Sequence, residues 1–327
     1  MNKLALCLFS ALLLVPGLLA CAIFWGGPKT PPALTSISAP FKGLDYTTLP
    51  AIRHFTARDD SALAYRVYAP AALPTKGSVV LLHGSSASSS SMHMLARTFA
   101  AGGYGAYALD VRGHGESGDK GHIGYVGQLE HDLEDFMTTT RPPAPATLVG
   151  FSSGGGFALR FAGSAQQDLF ASYLLLSPFI HQSAPTTRPD SGGWVSVGGP
   201  RFLALTLLNK VGIHHFNDLP ITRFALDEQA QAMLTAQYSY NLAQNYRPHH
   251  DYRANIRAVH QPVRLLAGLD DEVFIADQFA AVFAAEGKPV PVTLLPGVNH
   301  IGLSVSPAGT QAALAAVDAL QAPRPGR

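Results

Sequence analysis

Ala146-Thr147-Leu148-Val149-Gly150-Phe151-Ser152-Ser153-Gly154-Gly155-Gly156-Phe157-Ala158-Leu159-Arg160 organises the rest of this 327-residue chain. Its first residues form a short apolar run of strand character, and its last ones read as helix. Between them lies a G-x-S-x-G turn centred on Ser152. A strand that doubles back into a helix over so few residues forces the central residue into a strained backbone conformation, and the flanking positions need glycine to avoid steric clash. Three consecutive glycines each cost a helix about 1 kcal/mol relative to alanine, so something local requires them. A flexible Ser/Gly linker would lack the strand before and the helix after. Ser152 is therefore the candidate nucleophile, and Ser153 contributes its backbone N–H rather than its side chain.

Outward from this turn, from about residue 49, short apolar runs at 51–56, 62–68, 78–82, 106–111, 146–151, 171–176, 262–267 and 291–295 alternate with helical patterns. The helices are read at 92–101, 125–139, 153–161, 273–285 and 308–320. This alternation predicts an α/β fold with a mostly parallel eight-stranded sheet flanked by helices. Between Pro178 and Pro262 the rhythm stops for far longer than the roughly two to six residues of a βα connection. That interval reads as an inserted helical cap over 181–262, dividing the core into 49–180 and 263–323. Within it, 202–211 is apolar enough for a helix, and Leu234, Tyr238 and Leu242 recur at four-residue spacing after Asp227, a plausible N-cap. A cap laid over a sheet supplies the walls of an apolar pocket.

A serine nucleophile needs an oxyanion site, a base and a carboxylate that orients the base. The strand at 78–82 ends in His83-Gly84-Ser85-Ser86, where Gly84 lets the backbone turn close to a ligand. The Ser85 N–H can then join that of Ser153 in holding an oxyanion. His83 reads as a structural histidine holding this loop, and the serine run 88–91 as a cap for the next helix. Downstream, the strand at 262–267 ends in Gly268-Leu269-Asp270-Asp271-Glu272, and that at 291–295 in Pro296-Gly297-Val298-Asn299-His300. Both lie just past the carboxyl ends of strands, where open α/β sheets place their active sites. His300 is the candidate base, and either Asp270 or Asp271 the acid. The pairs His214-His215 and His249-His250 sit in no recognised ligand spacing. No metal and no cofactor is expected.

The amino terminus has another character. After Lys3 the chain is apolar from Leu4 to Trp25, broken only by Ser10 and Pro16-Gly17. At 1.5 Å per residue this makes a helix of about 33 Å, enough to span a bilayer. Residues 1–26 read as an uncleaved anchor with interfacial Phe24-Trp25, as a cleaved signal using Ala20-Cys21-Ala22, or as a lipoprotein signal in which Leu18-Leu19-Ala20 precedes a lipid-modified Cys21. All three readings carry the rest of the chain out of the cytoplasm if Lys3 stays inside, and the anchor and lipoprotein readings also hold it at a membrane. Residues 27–48, with Pro28, Pro31 and Pro32, read as a linker.

Composition closes several other doors. A net charge of +1 with 14% charged residues provides no electrostatic footprint for nucleic acid. Both cysteines, Cys7 and Cys21, fall in the amino-terminal stretch, which excludes a disulfide framework or a cysteine nucleophile in the globular part.

Taken together, Leu81-Leu82-His83-Gly84-Ser85, Leu109-Asp110-Val111-Arg112-Gly113-His114-Gly115-Glu116-Ser117, the Ser152 turn, the 268–271 turn and Asn299-His300 closely resemble the α/β-hydrolase superfamily. The nearest branch is the monoglyceride-lipase and lysophospholipase-like hydrolases, grouped with the serine aminopeptidases. The resemblance spans about residues 50–320 and implies the α/β-hydrolase fold, with triad members in the chain order Ser, Asp, His. It implies that the acid, following a G-x-x-D pattern, is Asp271, and that Ser85, after His-Gly, supplies one oxyanion N–H. It also implies that the Arg112–Ser117 stretch is a structural turn, so His114 is not the base. The chain departs from the commonest pattern in carrying Phe151, not His, before the nucleophile.

The implied reaction is hydrolysis of a small-molecule or lipid ester by Ser152, His300 and Asp271 through an acyl-enzyme. The apolar cap and membrane-linked amino terminus point to acyl-lipid or lysophospholipid-like substrates. A peptidase on the same scaffold would need cap acids placed to bind an amino group, with Asp218, Asp227, Glu228 and Asp251 as candidates. A non-catalytic ligand-binding protein would be expected to have lost a triad member, and none is missing.

Overall fold

A computed structural model describes residues 3–322, with side-chain surroundings from residue 14 onward other than at 190 and 191. The chain opens with helix α1 (Lys3–Trp25) and the single turn α2 (Thr35–Ser38). The core follows as β1 (Arg53–Thr56), β2 (Ala62–Tyr68), β3 (Ser78–Leu82), α3 (His93–Ala101), β4 (Gly105–Leu109), α4 (Gln128–Thr140), β5 (Ala146–Phe151), α5 (Ser153–Ala162) and β6 (Ser172–Leu176). The insertion carries β7 (Val195–Val197), α6 (Gly199–Lys210), β8 (Pro220–Phe224), α7 (Glu228–Met233), β9 (Gln237–Ser239), α8 (Tyr240–Asn245) and α9 (Tyr252–Ala258). The core resumes with β10 (Val263–Gly268), α10 (Phe279–Ala285), β11 (Val292–Leu295), α11 (Gly302–Val305) and α12 (Pro307–Gln321).

Eight strands form one sheet in the order β1-β2-β4-β3-β5-β6-β10-β11. The β1–β2 and β2–β4 pairs are antiparallel and every later pair is parallel. Strand β3 shows why the sheet is sandwiched. All five of its residues are buried, as expected where helices cover both faces. Side chains alternate across a strand, so Val80 and Leu82 pack with Phe136 of α4 and Phe157 of α5. Val79 and Leu81 enter the opposite cluster, with Leu95 and Phe99 of α3 and Val317 of α12.

The insertion differs from the purely helical cap expected of it. It contains a three-stranded antiparallel sheet, β7-β8-β9. Asp227 does cap a helix, accepting from the Ala230 N–H, but that helix stops at Met233. The stripe Leu234, Tyr238, Leu242 does not form one helix. Tertiary pairing overrides the local pattern: Gln237–Ser239 is drawn into the sheet beside β8, and the Thr235 N–H bonds the Ser86 carbonyl at 2.9 Å.

The segment 27–48 is likewise not a free linker. Leu34 N–H bonds Ala225 O at 2.9 Å, and Ile37 packs on one core cluster while Phe41 and Leu44 pack on the other. Proline-rich composition gave it the look of a tether, but the apolar residues after the prolines find surface to cover.

Helix α1 runs back onto the insertion. Ile23 is buried with Ala204 and Leu205 of α6. Arg201 caps the open carboxyl end of α1, with Nε on Ile23 O at 2.6 Å and Nη2 on Phe24 O at 3.2 Å, the arrangement that helix-end carbonyls favour. Among the described residues no helix is long and apolar enough to cross a membrane. The first half of the predicted anchor lies outside the residues whose side chains are described.

Candidate active site

Strand β5 runs into α5 through Ser152, whose φ of 55° and ψ of −118° lie where a non-glycine residue is strained. The glycines make this possible. A Cβ on Gly150 would collide with the Gly154 carbonyl, and one on Gly154 with the carbonyls of Leu82 and His83. The turn thus presses the start of α5 against the end of β3. The Ser152 hydroxyl is left at the carboxyl edge of the sheet.

His300 follows β11 and Asp271 follows β10. The three side chains meet in line: His300 Nε2 lies 3.0 Å from Ser152 Oγ, and His300 Nδ1 lies 2.8 Å from Asp271 Oδ2. The other carboxylate oxygen, Oδ1, accepts the N–H groups of Val273 and Phe274, each at 2.8 Å. Burial pushes the Asp271 carboxyl up, but the His300 charge and hydrogen bond together with the two amides outweigh it, holding the carboxyl below its usual value. Of the two adjacent acids, Asp270 points to solvent while Asp271 is 1% exposed. Glu272 accepts the His300 backbone N–H at 3.0 Å. A rigid Asp271 bonded to Nδ1 sets the tautomer that leaves Nε2 free to take a proton from Ser152.

Rings enclose the imidazole. Phe151, Phe274 and Trp194 have centroids 4.8, 5.2 and 5.3 Å from it. Phe151, the position where this chain departs from the commoner histidine, thus becomes a flat wall against His300. Trp194 comes from the insertion, and no sequence pattern singled it out.

The residues expected to donate to an oxyanion, Ser85 and Ser153, line the same cavity as Ser152. Ser85 and Ser153 have side-chain oxygens 2.5 Å apart, which brings their backbone segments together beside Ser152. The loop carrying Ser85 is fixed from both sides. From the core, His83 Nε2 accepts the Val111 N–H at 3.2 Å and Nδ1 donates to Gly84 O at 2.8 Å. From the insertion, the Tyr246 hydroxyl donates to His83 O, and the Tyr238 hydroxyl takes the Ser86 N–H at 2.6 Å while bonding His114 Nε2 at 2.6 Å. Burial drives the His83 and His114 pKa values down, so both rings are neutral and act as spacers. In the sequence Tyr238 belongs to an apolar stripe and nothing singles out Tyr246. The signal available there was that a buried tyrosine hydroxyl needs a partner.

Removing the Tyr238 hydroxyl strands two buried groups, the Ser86 N–H and His114 Nε2. Tyr238→Phe is expected to cost about 1–3 kcal/mol of stability, measured by urea unfolding. It is also expected to lower kcat more than it raises KM, because the loop beside Ser152 loses its brace. An unchanged kcat would mean that the brace does not govern the loop.

Ser152 and His300 open into a cavity of about 1140 Å³ lined largely by apolar side chains. Three parts of the chain build its walls: the core with Phe179 and Phe274, the insertion with Trp194 and Phe224, and the amino-terminal strap with Ile37 and Phe41. The described residues contain no group of three or more His, Cys, Asp or Glu able to hold a metal.

The eight-stranded sheet with a strained serine on the β5–α5 turn and a capping insertion over its carboxyl edge is the architecture of an α/β-hydrolase. Residues 74–302 match the family described as serine aminopeptidase, S33, and the chain belongs to that family. A monoacylglycerol lipase of Mycolicibacterium smegmatis is 33% identical over 125 residues, which are 36% of this chain and 43% of that protein. The chain therefore spans less than half the length of this curated relative. A soluble variant of monoglyceride lipase from Saccharomyces cerevisiae superposes with a TM-score of 0.63 at 17% identity, covering 86% of this chain and 97% of that one. A membrane phospholipase A superposes with a TM-score of 0.60 at 18% identity, covering 99% of this chain and 100% of the other. At such identities these two likenesses speak for the fold.

Proposed function

We propose that the protein is a serine hydrolase that cleaves carboxylic esters of acyl lipids by an acyl-enzyme mechanism. The observation that carries this reading is the line Ser152–His300–Asp271, at 3.0 and 2.8 Å, opening into a large apolar cavity. His300 takes the Ser152 proton as the oxygen attacks the ester carbonyl, and the Ser85 and Ser153 N–H groups hold the oxyanion. His300 then protonates the leaving alcohol and activates water, which releases the acid and restores Ser152. Kinship with a monoacylglycerol lipase supports an acyl-glycerol-like ester.

The peptidase alternative lacks comparable support. Of the four cap acids it would use, Asp227 alone lines the cavity, and its carboxylate is already engaged with the Ala230 N–H and the Ser38 hydroxyl. Asp251 caps α9, and Asp218 and Glu228 are exposed. Turnover of nitrophenyl esters of increasing chain length beside aminoacyl amides tests the choice. Esters of medium or long chain are expected to be preferred, and preference for the amides would overturn the reading.

Membrane attachment through residues 1–26, with the catalytic part outside the cytoplasm, is part of the same proposal. Exposed Leu14, Leu18 and Trp25 on α1, together with Leu203 and Leu207 on the α6 helix it packs against, offer apolar surface for a bilayer. In membrane fractionation the full chain is expected in the pellet. Release by Cys21→Ala would assign attachment to a lipid on that thiol, and retention would assign it to the helix. Full-length protein found wholly in the soluble fraction would end the proposal.

A further inference from the structure

Arginines 112, 160, 201 and 247 are all buried, and three of them have an evident partner set. Arg112 pairs with Asp132 and Asp59, Arg160 pairs with Glu130, and Arg201 bonds three backbone carbonyls. Arg247 stands apart. It follows α8, is 8% exposed, and lines the same cavity as Ser152. Its Nη1 donates to Gln182 Oε1 at 2.8 Å and its Nη2 to Gln244 Oε1, while its buried Nε has no partner among the described residues. Among the described residues no carboxylate pairs with it; burial and Arg160 push its pKa down, Tyr240 pushes it up, and its own charge adds to burial in lowering the pKa of His181.

Two bonds to neutral carbonyl oxygens leave three of the five guanidinium N–H donors unused. Burial pushes the group down to about 10, so it is still a cation at neutral pH. A buried cation without a counter-ion is unfavourable unless something supplies the charge. Phe202, with its ring centroid 5.9 Å from the guanidinium carbon, closes one side and orients the fork. The other charged residues of the cavity wall, Lys42, Arg66, Glu116 and Asp227, are all less buried than Arg247.

We propose that Arg247, held by Gln182 and Gln244, is a subsite for an anionic oxygen group on the substrate, a phosphate or a carboxylate carried on the same molecule as the ester that Ser152 attacks. Both anions present paired oxygens that match the planar fork of an arginine. The inference deepens the ester-hydrolase reading and rests on it for the word substrate. The substrate class it selects is an amphiphile with an acyl ester and a separate negative charge.

Binding tests it without turnover. Dodecyl phosphate, dodecanoate and dodecanol are titrated by calorimetry, below their aggregation concentrations, into the full chain carrying Ser152→Ala and into the same chain carrying Arg247→Gln as well. At least one anion is expected to bind roughly ten- to hundredfold more tightly than the alcohol, and Arg247→Gln is expected to remove that preference. Tighter phosphate points to a phospholipid-type headgroup, and tighter carboxylate to a fatty acid or a half-ester of a dicarboxylic acid. Equal binding of all three ligands overturns the proposal, as does a preference that survives Arg247→Gln. Should that variant fail to fold, the comparison of the three ligands in Ser152→Ala alone decides, and Arg247→Lys, which keeps the charge but not the fork, is expected to weaken the preference. In turnover, an acyl ester carrying whichever anion binds more tightly is expected to exceed the matching uncharged ester in kcat/KM. If neither ester is cleaved while the anions still bind selectively, the hydrolase reading fails and the anion subsite stands.

Discussion

Ser152→Ala is expected to lower kcat on an activated ester by about 10⁶-fold, His300→Ala by a similar factor, and the double variant no further. The reason is in the geometry. Ser152 Oγ and His300 Nε2 share one hydrogen bond of 3.0 Å, so neither group does its part without the other. Covalent labelling by a fluorophosphonate is expected to vanish in both single variants. Losses that multiply in the double variant, or labelling that survives Ser152→Ala, would show that the nucleophile lies elsewhere.

Asp271→Asn is expected to lower kcat by about 10⁴-fold while leaving Ser152 in place. In the native site Oδ1 accepts two backbone N–H groups and Oδ2 faces His300 Nδ1. Asparagine has a single acceptor oxygen. If that oxygen stays on the Val273 and Phe274 amides, its NH₂ group turns to His300 and stabilises the tautomer with the proton on Nε2, which cannot accept one from Ser152. Rebinding the other way leaves NH₂ against two N–H donors.

The same substitution has a predictable effect on stability. The Asp271 carboxyl is held below its usual value in the folded protein, so its ionised form is favoured by folding. Its contribution is fully present above about pH 4, the ordinary aspartate range. It is lost as pH falls through the lower folded value. Asp271→Asn should therefore reduce Tm at neutral pH and flatten the decline of Tm below pH 4. A parallel decline in the two proteins would mean that the carboxylate is not linked to folding.

The strand–turn–helix around Ser152 was legible because the glycines stand within a few residues of it, although local sterics demand the one at 150 while the one at 154 answers to the end of β3. The central strands β3, β4, β5, β6 and β10 were legible because strands buried on both faces read as nearly continuous apolar runs. The candidate residues on three separate loops followed from their place after strand ends, and the parallel pairing of β5, β6, β10 and β11 puts those ends along one side of the sheet. What stayed hidden lies in the insertion and the strap. Tyr238 and Tyr246 brace the Ser85 loop, Trp194 roofs His300, and Ile37 and Phe41 close a cavity more than a hundred residues away in sequence.

The glycine-flanked serine and the apolar runs are patterns of short segments, and the order Ser, Asp, His is read directly along the chain. By itself the amino-acid sequence therefore determined the sheet, the turn that strains Ser152 and the loops that carry its partners. Only the tertiary structure decided that residues 27–48 wall the cavity and that Arg247 enters it bonded to two glutamines and to no carboxylate. Those outcomes depend on which distant surfaces meet. A buried hydroxyl or guanidinium reveals its role only when its neighbours, or their absence, are in view.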